Sequence, residues 1–207
     1  MVTVGGSAAA VEQRLVEGRL ACPECSGVLA GWGYARERSV RDRGGTWRVR
    51  PRRARCASCG VTHVLVPAGL LLRRADAVAV IGAALSAKAK GAGYRRIAAA
   101  LGRPAETVRG WLRRFGSRAE AVRRVFTVLL RAVAADPVMP GPAGNRWADA
   151  LVAIGAAAGA VAARFAVFTV PLWQWVSAVS RGRLLAPGWP GVVDQHELTL
   201  TRRWLDL

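Results

Sequence analysis

The sequence is poor in acid. Of its 207 residues, 13 are Asp or Glu against 31 Lys or Arg, and the formal net charge at neutral pH is +18. Such a surface repels cationic partners and attracts polyanions, of which nucleic acid is the simplest. The shortage is uneven: residues 1–135 hold 25 of the 31 basic side chains and 8 of the 13 acids, a net +17, whereas residues 136–207 come to +1. Arginine-rich codon usage would raise arginine everywhere and does not account for a neutral last third that is still rich in alanine. No secretory leader is expected either, because MVTVGGSAAAVEQRL has no basic start and Glu12 and Arg14 break its apolar stretch. A cytoplasmic setting is expected, where cysteines serve as metal ligands more often than as disulfides. Long uncharged runs are also lacking. Residues 150–163 run for 14 positions and 165–180 for 16, with Arg164 between them and Pro171 inside the second. Both fall short of the ~18 residues of a spanning helix, so helix packing or a homodimer through 146–207 is expected, and a membrane anchor using Trp173 and Trp175 is the lesser alternative.

What is present reads as a mainly α chain: a small β zinc ribbon, then a helix-turn-helix bundle, then an apolar C-terminal helical region. Residues 1–20 form a lead-in with one helical turn around 11–18. Residues 21–68 carry all four cysteines and β-branched, aromatic and arginine-rich runs such as Thr46-Trp47-Arg48-Val49-Arg50 and Val61-Thr62-His63-Val64-Leu65-Val66, which predict short strands. Residues 69–135 turn helical. Val78, Ile81 and Leu85 share a face, Tyr94, Ile97, Ala98 and Leu101 follow helical spacing, and Val108, Trp111, Leu112 and Phe115 repeat it. Gly116 suits a helix stop, and Ser117 to Glu120 has a capping-box pattern before the stripe Val122, Val125, Phe126, Leu129, Leu130 and Val133. Residues 136–145, with Pro137, Pro140 and Pro142, read as a linker to the apolar region 146–207. The chain has no internal repeat.

Cys22-Pro23-Glu24-Cys25 and Cys56-Ala57-Ser58-Cys59 are two CxxC pairs with 30 residues between them. Each such turn sets two sulfurs on one side of a knuckle, and two knuckles supply the four tetrahedral ligands that zinc takes. Gly27 and Gly60 suit the backbone demands of the two turns. Every cysteine is used and all four coordination positions are filled, so the Zn2+ is expected to be structural rather than catalytic. His63 could replace one thiolate, although a lone strand histidine usually has a structural place. A redox dithiol needs only one pair, in a βαβ setting that is absent here. Between the knuckles lie Arg36, Arg38, Arg41, Arg43, Arg48, Arg50, Arg52, Arg53 and Arg55, offset by Glu37 and Asp42. These arginines are expected on phosphates, Arg48, Arg50, Arg52 and Arg53 above all. Trp32, Tyr34 and Trp47 stand among them; they could stack on bases, and Trp47 in particular is expected in the small core.

The segment GYRRIAAALGRPAETVRGWLRRF, residues 93–115, fits two short helices around a tight turn at Gly102. Its second helix would expose Glu106, Thr107, Arg109 and Arg113, placed to read base edges of double-stranded DNA in a major groove. Arg95, Arg96, Arg103 and Arg114 are expected on phosphates. With the CPEC and CASCG pairs before it, this segment resembles a family of bacterial proteins built as a zinc ribbon plus helix-turn-helix, similar to the N-terminal DNA-binding part of insertion-sequence transposases. The resemblance covers roughly residues 20–135. The Arg103-Pro104 pair departs from it, because a Ser or Thr often begins the recognition helix. It implies a DNA-binding mobile-element accessory factor or transcription regulator, or else a DNA-binding subunit working with a recombinase or transposase on another chain. A membrane-tethered regulator is the remaining alternative. Strand-cleaving cores are not legible. The acids after residue 135 are Asp136, Asp149, Asp194, Glu197 and Asp206, in 72 apolar residues too few for a two-metal carboxylate sheet. The two tyrosines, Tyr34 and Tyr94, both sit in binding segments, so no catalytic residue is expected and the chain reads as not an enzyme.

Overall fold

β-branched residues alternating with arginine form strands around the cysteines, and Ala- and Leu-rich stripes form helices after them. The computed structural model describes residues 1–165 and 170–191. The end of the 146–207 region, with Asp194, Glu197 and Asp206, lies outside the described residues. Within them the order is β1 (Val2–Val4), α1 (Ala8–Val16), β2 (Leu29–Tyr34), β3 (Arg38–Arg41), β4 (Thr46–Val49), β5 (Arg52–Cys56) and β6 (Thr62–Pro67). Then come α2 (Val78–Ala89), α3 (Tyr94–Leu101), α4 (Ala105–Gly116), α5 (Ala119–Val133), α6 (Arg146–Phe165) and α7 (Leu172–Val179). The architecture is therefore mixed α and β, with helix the larger part.

One sheet has the order β1-β6-β5-β2, with β1 parallel to β6 and the other pairs antiparallel. The first 20 residues are part of it rather than a loose lead-in. Ser7 caps α1 by accepting from the Ala10 N–H at 3.3 Å. Val2, Val4, Val11, Leu15, Leu20, Leu29, Ala54 and Leu65 make one small core under the sheet. β3 and β4 form a separate hairpin that leans the other way. Val40 is fully buried in the helical core, and the Arg41 backbone exchanges hydrogen bonds with Ala75 and Ala77 at 2.8 and 2.9 Å.

The larger core runs without a break from Val40 to Trp189. α6 lies along α5, burying Trp147, Ala150, Ala153, Ile154, Ala157 and Val161. Trp147 stacks on Phe115 and Trp175 meets Phe126, each with ring centroids 5.5 Å apart. The described part of the neutral last third is thus no separate body, because its apolar side completes the core begun by α2 to α5. α6, which holds the first uncharged run together with Arg146, Asp149 and Arg164, is a helix of 20 residues, and by length and composition it is long and apolar enough to cross a membrane. The 136–145 connection is fastened at its end: Asn145 accepts from the Trp147 and Ala148 N–H groups and donates to the Ala89 carbonyl, all at 3.0 Å.

Two local expectations change. The capping box does not form, since α5 starts after Arg118 without a side-chain cap, the Ser117 hydroxyl donates back to the Arg114 carbonyl, and Glu120 pairs with Arg123. Gly116 is the last residue of α4, and a Cβ there would meet the Trp147 ring at 2.5 Å. Close helix approach, not helix termination, requires that glycine.

Candidate metal centre and nucleic-acid interface

The β2–β5 register sets Leu29 opposite Cys56 and so draws the two cysteine turns together. The four sulfurs of Cys22, Cys25, Cys56 and Cys59 lie within 4.8 Å of one another. Cys22 and Cys59 are 3.8 Å apart and Cys25 and Cys56 3.4 Å. Four thiols gathered this way can hold one metal ion. The Cys59 N–H points at the Cys56 sulfur at 3.5 Å. Together with a smaller contribution from the Ser58 N–H, it outweighs burial and brings the Cys56 thiol down to about 6. The glycines act differently from one another. Gly60 takes the left-handed conformation at φ 73°, but in the first turn Ser26 does so at φ 61°. Gly27 is needed for closeness: a Cβ there would sit 2.4 Å from the Ser58 hydroxyl and 3.0 Å from the Cys56 sulfur. His63 is buried, and its Nε2 lies 3.3 Å from the Cys22 sulfur. Burial lowers the pKa of His63 and favours the neutral ring, which donates to that sulfur when its proton is on Nε2. The histidine therefore stands behind the Cys22 sulfur rather than replacing it in the group of four.

α3 and α4 meet across a short turn. Gly102 ends α3 at φ 60°, and Pro104 precedes α4 with no side-chain cap. Ile97, Ala98, Val108, Trp111, Leu112 and Phe115 are buried. Arg95, Arg96, Glu106, Arg109 and Arg113 are exposed, while Thr107 and Arg114 are half-buried. Arg109 and Glu106 pair with each other at 3.2 Å. Both ends are largely in water, so the pair contributes about 0–1 kcal/mol and does not hold Arg109 against a stronger acceptor.

Arg103 is elsewhere. Its side chain is only 12% exposed and donates to Asp76 at 2.7 Å, with further bonds to the carbonyls of Asp42, Leu101 and Gly102. Asp76 is 3% exposed and also receives Arg41 through both carboxylate oxygens, at 3.1 and 2.8 Å. The expected phosphate contact at Arg103 is thus an internal clasp between the β3–β4 hairpin and the α3–α4 turn. Asp76 carries no sequence signal, because its partners are 35 and 27 residues away.

The strand arginines divide in the same way. Arg48 and Arg50 are exposed, with Arg48 paired to Glu37 at 3.0 Å and Arg50 over the Tyr34 ring at 5.2 Å. Arg53 is half-buried. Arg52 is held in place by Glu12 at 2.7 Å, by the Gly33 carbonyl at 2.8 Å and by Tyr34, and does not reach outward. Trp47 does not enter the small core. Trp32, Tyr34 and Trp47 all lie on the surface, and the small core has no aromatic residue. Comparison with protein-family models, with curated proteins and with solved structures finds no match to this chain.

Proposed function

We propose that this chain is a double-stranded DNA-binding protein built from a structural zinc ribbon and a helix-turn-helix, and that it binds without cutting. The observation that carries the reading is α4: one side packs into the core through Val108, Trp111 and Phe115, and the other presents Glu106, Arg109 and Arg113 beside exposed Arg95 and Arg96 of α3. A helix held this way can enter a major groove, with Arg109 and Arg113 on guanine edges and Arg95 and Arg96 on phosphates. The metal is Zn2+. A zinc–thiolate bond of ~2.3 Å makes a tetrahedron with edges of ~3.8 Å. The Cys22–Cys59 and Cys25–Cys56 separations of 3.8 and 3.4 Å suit it. Four thiolates leave no open position, so the ion's part is to hold β2 and β5 in place. The role that fits is a transcription regulator or mobile-element accessory factor acting in the cytoplasm. A homodimer on a two-fold site would use the side of α6 that α5 leaves free.

The test is selection of bound duplexes from a random pool, followed by titration of variants. Arg109→Ala is expected to lose about 1–3 kcal/mol on the selected site and to relax preference at one base pair. Equal losses on selected and scrambled duplexes for both Arg109→Ala and Arg113→Ala would reduce α4 to a backbone grip.

A further inference from the structure

Among the described residues β2 is an edge strand of its sheet, and every residue from 30 to 34 is exposed. Successive side chains of a strand point to opposite faces. Leu29 and its register partner Cys56 face the small core, so Ala30, Trp32 and Arg55 face away from it. Trp32 is 51% exposed, with the Arg55 guanidinium 5.0 Å over its ring. Arg55 is itself anchored, since its Nε donates to the Gly60 carbonyl of the second cysteine turn at 3.1 Å. A bulge follows: Gly31 pairs with Ala54 and Tyr34 with Arg52, so β2 has one residue more than β5 between these pairs. Gly33 takes it up at φ 76°. Tyr34, 50% exposed, pairs in register with Arg52 on the core side of β5, so the bulge sets it on the face opposite Trp32, with Arg50 at 5.2 Å and Arg52 at 4.8 Å from its ring.

A strand edge exposed in this way and bearing a large aromatic invites self-association unless it has an occupant. The cations set beside this ring define its chemistry. It must offer a flat π-face to Trp32 and negative charge to the arginines on the same face, Arg53 and Arg55. Duplex DNA hides its base faces in the stack, whereas an unpaired strand exposes them. We propose that the outer face of β2–β5 binds a single-stranded nucleic acid, Trp32 stacking on a base and Arg53 and Arg55 meeting its phosphates. This site is separate from α4, and it stands whether or not α4 enters a duplex.

The test uses the full zinc-loaded chain and fluorescence anisotropy with three probes: labelled oligothymidylate, an abasic oligomer of equal length and a duplex. Trp32→Ala is expected to weaken oligothymidylate binding by about 5- to 150-fold, the size of one lost base stack. Trp32→Phe should keep most of the affinity, because it keeps a ring. Tyr34→Ala, on the opposite face, should change it little. Duplex affinity should not change in these variants, and the abasic oligomer should bind the wild type weakly and be indifferent to Trp32. Arg109→Ala should show the reverse, losing duplex and keeping the single strand, so failure at one site is told apart from failure at the other. Three results overturn the proposal: Trp32→Ala leaves oligothymidylate binding intact, it weakens all three probes alike, or its effect is to abolish self-association in sedimentation while strand binding persists.

Discussion

Replacing Asp76 by alanine tests the internal clasp. Asp76 is 3% exposed and faces two guanidinium groups, those of Arg103 at 12% and Arg41 at 44% exposure. Loss of the carboxylate strands the Arg103 charge away from water. Removing one partner of a buried ion pair costs about 3–5 kcal/mol. Arg103 keeps three carbonyl acceptors, so the lower end applies. Arg41 adds little, since an ion pair this open to solvent contributes about 0–1 kcal/mol. The expected loss is about 3 kcal/mol, or roughly 6–12 °C in Tm for a chain of this size. Thermal and urea unfolding by circular dichroism read it directly. Arg41→Ala should cost under about 1 kcal/mol. Adding Arg103→Met to Asp76→Ala should recover part of the loss, because no unpaired buried charge then remains. A cost below about 1 kcal/mol for Asp76→Ala, or further loss in the double variant, would refute the reasoning. Arg103→Ala should follow the same course: stability falls, while the salt slope of DNA binding by the folded protein is unchanged.

Metal analysis of the purified protein should find one zinc per chain, and Cys56→Ser should lose both the metal and the β-sheet signal; a folded, metal-free wild type would contradict the ribbon. A fragment ending at residue 135 exposes Phe115, Val122 and Phe126, which α6 and α7 otherwise cover. It should therefore aggregate or unfold without cooperativity in sedimentation and calorimetry, and a soluble, cooperatively folded fragment would show that the core divides there. Arg95→Ala should weaken cognate and scrambled duplexes alike and reduce the salt slope by about one unit, whereas a loss confined to one sequence would make it a base contact.

Much was legible from the chain alone because its signals are short in range. The CxxC spacing marks Cys22, Cys25, Cys56 and Cys59, since two residues between thiols suffice to make a knuckle. The stripes through Ile97 and Ala98, and through Val108, Trp111 and Phe115, mark α3 and α4, since a helix repeats its face within four residues. Gly102 marks the turn because its φ of 60° is disfavoured for residues with a Cβ. The clustering of charge before residue 136 likewise needs no fold. Tertiary structure alone decided which arginines face outward. Arg103 and Arg109 lie six residues apart, but a carboxylate 27 residues upstream captures one and leaves the other in water. Trp32 and Tyr34 are exposed because β2 is an edge strand among the described residues, and a bulge sets them on opposite faces, neither of which is written in β2 itself. The last third reads as an independent body by charge and composition, yet α6 belongs to the core of α5. An apolar stripe states that it must be covered; which element covers it depends on contacts far apart in sequence, formed when the chain closes on itself.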